Sequence, residues 1–91
     1  MVFEWDAAKD RINQHKHGID FATASKAFKD PHRVYSVDVK HSTEHEVRWY
    51  CFGQVEQAVL TVRFTIREGK IRIFGAGYWR EGQGVYDKEN R

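Results

Sequence analysis

Arg48, Tyr50, Arg63, Arg72 and Phe74 are the residues around which chemistry would gather in this chain. If Ile66 pairs with Ile71 across the turn Arg67-Glu68-Gly69-Lys70, then Thr65 pairs with Arg72, Phe64 with Ile73 and Arg63 with Phe74. Arg63, Thr65, Arg72 and Phe74 then share one sheet face, and Arg48 and Tyr50 join them from the preceding strand. Guanidinium forks hold phosphate oxygens and aromatic rings stack on unpaired bases, so this mixture suits RNA. The plainer alternative is a solvated sheet face, where alternating polar residues are expected in any case. Tyr78 and Arg80 would hang at the edge of the same face, with Trp79 closing the core.

A second cluster, Asn13-Gln14-His15-Lys16-His17-Gly18, raises the question of a metal. Two residues apart on a helix, His15 and His17 point about 200° away from each other and cannot grip one ion. His41 and His45 have the H-x-x-x-H spacing, but in extended chain they would stand roughly 13 Å apart. No paired cysteine supports a site. Cys51 falls on the apolar parity of its strand and reads as a small core residue. Lys16 and His17 need no function at all to be explained, because cations suit the negative end of a helix dipole.

The elements that must carry these residues are legible. Val2–Trp5 reads as a first strand. Asp6 offers a cap to a helix over 7–17, and Gly18 suits the left-handed residue that ends it. Asp20 caps a second helix over about 21–29, which Pro31 stops. From Arg33 the period turns to two. Strands are expected over Arg33–Val39, along Glu44–Gly53 with Val47, Trp49 and Cys51 on the apolar face, over Ala58–Ile66, and over Ile71–Gly77, with a hairpin at Gly69. The polar tail from Trp79 reads as a short helix or an irregular segment, since Gly82 and Gly84 disfavour helix. The expected fold class is α+β: two N-terminal helices packed on one face of an antiparallel sheet of about four strands, with the other face left for a ligand.

A chain of 91 residues with 41% hydrophobic and 31% charged residues is expected to form a single domain over residues 1–91. Six phenylalanines, four tyrosines and three tryptophans can supply its core. One cysteine cannot form an internal disulfide, which suits a reducing compartment. With no secretory apolar region and no membrane-length apolar run, a soluble cytoplasmic protein is expected, with no membrane partner. The formal net charge of +2 is only mildly basic. Arginine placement therefore matters more than arginine number.

The stretches from Phe3 to Pro31, "EVRWYCFG" and "IRIFGAG" together resemble the BrnT toxins of bacterial type II toxin–antitoxin systems. The family pattern falls on Trp5, Asp6, Lys9, Asn13, Lys16, His17, Gly18, Ile19 and Phe21, then on Phe28, Asp30 and Pro31. Its Glu-x-Arg-Trp falls on Glu46, Arg48 and Trp49, and its last-strand arginine on Arg72. The resemblance covers residues 3 to about 77. It implies a RelE/ParE-like fold and a small endoribonuclease that inhibits translation on an RNA substrate. It also implies neutralisation by a BrnA-like antitoxin, contact with operator DNA only through that antitoxin, and no cofactor. The pattern continues Ser-Ala-Arg where this chain has Gly75-Ala76-Gly77, so the arginine is absent unless Arg80 replaces it.

Metal-independent RNA cleavage needs a base for the 2′-hydroxyl proton, a cation for the phosphorane and an acid for the 5′-oxygen. Arg48, Arg63 and Arg72 suit the phosphate, with Arg80 beside them. Lys16, His17 and Tyr78 are the candidates for proton transfer. An imidazole exchanges protons near neutral pH, whereas a lysine does so only where burial or other cations favour its neutral form. The rival expectation, from the missing arginine, is a degenerate, non-catalytic module that binds an antitoxin or RNA without cutting.

Overall fold

A computed structural model describes all 91 residues. Strand β1 (Phe3–Trp5) leads to Asp6, whose carboxylate accepts from the Ala8 and Lys9 N–H groups and opens helix α1 (Ala7–His17). Those bonds hold the Asp6 carboxyl below the usual carboxylate range. Gly18, in the left-handed conformation at φ 68°, ends the helix by donating its N–H to the Gln14 carbonyl. Asp20 caps α2 (Phe21–Ser25) through the Thr23 N–H. The chain then tightens into a 3₁₀ turn over Lys26–Lys29. After it come β2 (Val34–Val37), β3 (Trp49–Val55), β4 (Ala58–Arg67), β5 (Lys70–Gly77) and helix α3 (Arg80–Glu89).

The sheet has five strands in the order β1-β5-β4-β3-β2. β2 to β5 are antiparallel neighbours, but β1 lies parallel to β5, pairing Phe3 with Ile71 and Trp5 with Ile73. The sheet is therefore mixed and five-stranded, not antiparallel with about four strands. A strand precedes the helices, and there are three helices. The reason lies in the chain order: α1 and α2 carry the chain from β1 to β2 at the opposite edge, and the β2–β5 meander then brings β5 back to lie parallel beside β1.

One face carries the core. Leu60, Val62, Phe64, Cys51 and Ile73 are buried against Phe21, Ala24, Ala27 and Phe28. Phe28 meets Phe3, Tyr35 and Phe64 at ring distances of 5.0–6.2 Å. Burial pushes the Cys51 thiol up to about 12, so it is a packed apolar group. Helix α3 covers part of the other face, where Phe52, Val59 and Tyr86 form a small second cluster. Gly82, expected to disfavour a helix here, is what lets α3 dock: a Cβ at this position would lie 1.9 Å from Thr61 Oγ1. Asp30 ties the layers together. Its Oδ2 accepts from Gln54 N and from the Tyr86 hydroxyl, both at 2.7 Å, and its Oδ1 from His32 N at 2.9 Å.

Two local readings differ from expectation. The hairpin register holds from Arg67–Lys70 to Phe64–Ile73, but Arg63 then pairs with Gly75, leaving Phe74 as the extra residue of a bulge. The segment before Trp49 is a loop, so Val47 is half-exposed and not on the apolar face. Thr65 is buried beneath that loop and donates its hydroxyl to the Val47 carbonyl at 2.7 Å.

Candidate active site

The open face of the sheet, between α1 and α3, holds two adjoining cavities. The first, about 280 Å³, is lined by Lys9, Asn13, Lys16 and His17 from α1, by Arg63 and Phe74 from the sheet, by Arg48 from the loop just before β3, and by Asp38 and His41 from the loop after β2. The second is lined by Tyr50, Phe52, Thr61, Trp79, Arg80 and Gly82 among others. Asn13, His17 and Arg63 belong to both, so the two form one continuous groove. In the first cavity Lys9, Lys16, Arg48 and Arg63 outnumber the single carboxylate of Asp38, which favours an anion there.

Arg63 stands at the junction. It pairs across the strands with Tyr50 on β3 and with Gly75 on β5. A Cβ at Gly75 would come within 2.8 Å of the guanidinium, so the glycine makes room for it. No carboxylate lies within ion-pair distance of Arg63, and its buried Nε has no hydrogen-bond partner. Arg48 is differently placed. Its Nε donates to Glu46 Oε1 at 2.6 Å, while Arg67 donates to Glu46 Oε2 at 2.8 Å. Those bonds, from Arg67 first and then Arg48, hold Glu46 below the usual carboxylate range. The Arg48 guanidinium lies 3.9 Å from the Phe74 ring centre, with Lys9 at 5.1 Å and Arg67 at 5.8 Å. The bulge that broke the expected pairing thus places Phe74 among three cations.

Asn13 positions the α1 wall. Its Nδ2 donates to the Ile19 and Ala76 carbonyls at 2.9 and 3.0 Å, and its Oδ1 accepts from Ala76 N at 3.1 Å. β1 pairs with β5 only as far as Ile73, so the amide of Asn13 satisfies the strand edge beyond it. Lys16 and His17, one turn on, are thereby held over the groove. The His17 ring meets Trp79 edge-on at 5.3 Å.

Lys16, His17, Arg48 and Arg63 therefore come together, and Arg80 lines the far cavity with His17 and Arg63. Arg72 does not join them: it is paired with Glu4 at 2.8 Å and lines neither cavity. Tyr78 is also outside the groove, its hydroxyl directed at the Val55 carbonyl, 3.4 Å away. Trp79 sits against Gly77, where a Cβ would lie 2.4 Å from its ring.

Asp38 and His41 entered the sequence reading only through the metal question, or not at all. Their signal was an Asp three residues before a His, the spacing at which a short side chain caps a turn. No three histidine, cysteine, aspartate or glutamate side chains gather as a metal-binding group would require. Burial, followed by the charge of Asp38, pushes the Tyr50 phenol up.

Among protein families, the model described as the ribonuclease toxin BrnT of type II toxin–antitoxin systems matches residues 5–82. No curated protein matches the chain.

Proposed function

The chain belongs to the BrnT family of ribonuclease toxins of type II toxin–antitoxin systems, and from that premise we propose that it cuts RNA, without a metal ion, in the groove between α1 and α3. The observation that carries the reading is Arg63. It is a guanidinium at the junction of both cavities with no acid to neutralise it. A fixed, unpaired cation of this kind suits a phosphate whose charge grows as the phosphorane forms. Arg48, held by Glu46, and Arg80 would flank the strand, with Tyr50 and Phe74 as faces on which bases stack. Lys16 and His17 stand where proton transfer is needed; Arg72 would act only by fixing Glu4 and the sheet edge.

Membership in this family implies an antitoxin partner. The reading extends to a BrnA-like antitoxin that carries the contact with operator DNA, to arrest of translation in the cytoplasm, and to a RelE/ParE-like fold over one toxin domain of residues 1–91. No helix is long and apolar enough to cross a membrane.

The test is cleavage of single-stranded RNA by purified protein in EDTA. Arg63→Ala is expected to lower the rate by about 100-fold or more, the range of losing one transition-state donor. Unchanged cutting by that variant would remove the site assignment.

One observation favours a second reading, a toxin-like module that binds without cutting. Gly77 stands where the family resemblance implies an arginine, and Trp79 fills the space into which that side chain would start. Induced expression in bacteria separates the two: growth arrest relieved by the partner supports the ribonuclease, and no arrest supports the module.

A further inference from the structure

We propose that Asp38 and His41 are the proton-transfer pair of this groove, with His41 as the general base and Asp38 as its positioning residue. The inference rests on the ribonuclease reading above and supplies its missing base.

The geometry is specific. Asp38 is only 5% exposed, in a loop whose neighbours Val39 and Lys40 are exposed. Its Oδ2 lies 2.8 Å from His41 Nδ1, and its Oδ1 accepts from the His41 N–H at 3.3 Å. The imidazole is 48% exposed and lines the first cavity together with Arg48 and Arg63. A carboxylate that accepts from Nδ1–H sets the tautomer, leaving the Nε2 lone pair free to take a proton. No other side chain engages Nε2.

The loop is also braced against the phosphate-binding side. Asp38 N donates to the Arg48 carbonyl at 2.8 Å. The Ser42 hydroxyl donates to the Asp38 carbonyl at 2.7 Å and accepts from Arg48 N at 2.8 Å. Ser42 thus ties the residue that orients the imidazole to Arg48, in the loop just before β3. A base must be held near its proton and near the charge it helps create, and this bracing does both. His41 approaches from the β2 edge of the sheet, whereas Lys16 and His17 approach from α1 beside β5. A base and an acid on two sides of a phosphate are what in-line displacement requires.

The step balances. His41 Nε2 takes the 2′-hydroxyl proton as the O2′–P bond forms and the P–O5′ bond breaks. A cation on α1, Lys16 or His17, gives a proton to the leaving 5′-oxygen. The products are a 2′,3′-cyclic phosphate and a 5′-hydroxyl, with no oxidant or metal consumed. Arg63 and Arg48 hold the non-bridging oxygens throughout.

The experiment uses the whole chain and a single-stranded oligoribonucleotide in EDTA. His41→Ala should lower kcat by about 100-fold or more, the usual contribution of a general base. Added imidazole should restore part of that loss. Asp38→Asn should lower kcat by about tenfold or more with KM unchanged, because it disturbs the imidazole and not the RNA. Both variants should melt within a few degrees of the intact chain, since His41 is half-exposed and the asparagine is isosteric. If the intact chain and His41→Ala cut equally, or if imidazole restores nothing, this assignment is overturned while the ribonuclease reading stands. If Asp38→Asn raises KM or lowers the melting temperature and leaves kcat alone, Asp38 only caps a turn and its positioning role is overturned. If the intact chain makes no cyclic phosphate, the ribonuclease reading fails and this one with it.

Discussion

On one face of the sheet Cys51, Leu60, Val62, Phe64 and Ile73 lie sealed beneath α2 and its 3₁₀ turn. On the other, Tyr50, Arg63 and Phe74 stand on the same three strands and look into a groove. Alternation along the strands, broken once at the Phe74 bulge, produced both faces, yet their interactions differ in kind. The sealed face makes nearly every contact available to it, down to a thiol too buried to ionise readily. The open face leaves interactions unmade: Arg63 Nε and Thr61 Oγ1 are buried without partners. Stability therefore resides in the first face, and capacity to bind and react in the second.

Substitutions should separate the two faces. The largest effect belongs to the sealed side: Phe28→Ala should cost about 3–5 kcal/mol, as for other buried phenylalanines, read from urea unfolding. Asn13→Ala comes next and bridges the comparison. It removes three hydrogen bonds and strands the Ala76 N–H and C=O in a buried place; about 2–4 kcal/mol should be lost. Because Asn13 also holds the α1 wall, RNA binding should weaken in the same variant even under conditions where it remains folded. A loss of stability with intact RNA binding would show that α1 is not a wall of the site.

A smaller effect concerns the seam where α3 meets the sheet. Burial pushes the Asp30 carboxyl up, but the hydrogen bonds from Gln54, Tyr86 and His32 outweigh it and leave it below its ordinary value of 3.8. A depressed folded value means this stability is fully present above 3.8 and is lost as pH falls through the folded value. Tyr86→Phe should accordingly cost about 1–2 kcal/mol at neutral pH. The gap between the two proteins should close in acid, in unfolding curves run from pH 7 downward. A gap that persists unchanged in acid would assign the loss to packing instead. The smallest stability effect is expected from Arg63→Ala, within about 1 kcal/mol of the intact chain, because the packing it loses is offset by removal of a buried, unpartnered Nε, although it should abolish most cleavage. A large destabilisation there would blur the distinction between the faces.

Local chemistry was legible where one residue type answers one local need. Asp6, Gly18 and Asp20 marked the ends of the helices, and the two-residue turn at Glu68-Gly69 set the β4–β5 register. Alternation along β4 puts Leu60, Val62 and Phe64 on one face, and they lie in the core, whereas Ala58 and Ile66 of the same parity are exposed at the strand ends. Prediction failed where a distant element answered the need. Gly82 disfavours a helix by propensity, but its missing side chain is what allows α3 to touch Thr61. Phe74 was expected opposite Arg63, but a bulge displaced it, and three cations now approach its ring.

The sequence by itself determined the α+β class, the caps, most strand cores and the basic, aromatic character of one sheet face. It also singled out Lys16, His17, Arg48 and Arg63, which do meet in the groove. Only the tertiary structure decided that β5 comes back to lie parallel beside β1, that Arg72 is held by Glu4, and that Tyr78 lies outside. Only it showed Asp38 buried and aimed at His41 beside the unpaired Arg63. The physical reason is range. Propensity and periodicity act over a few neighbouring residues, whereas a guanidinium's partner, or lack of one, depends on side chains brought near by the closing of the whole sheet.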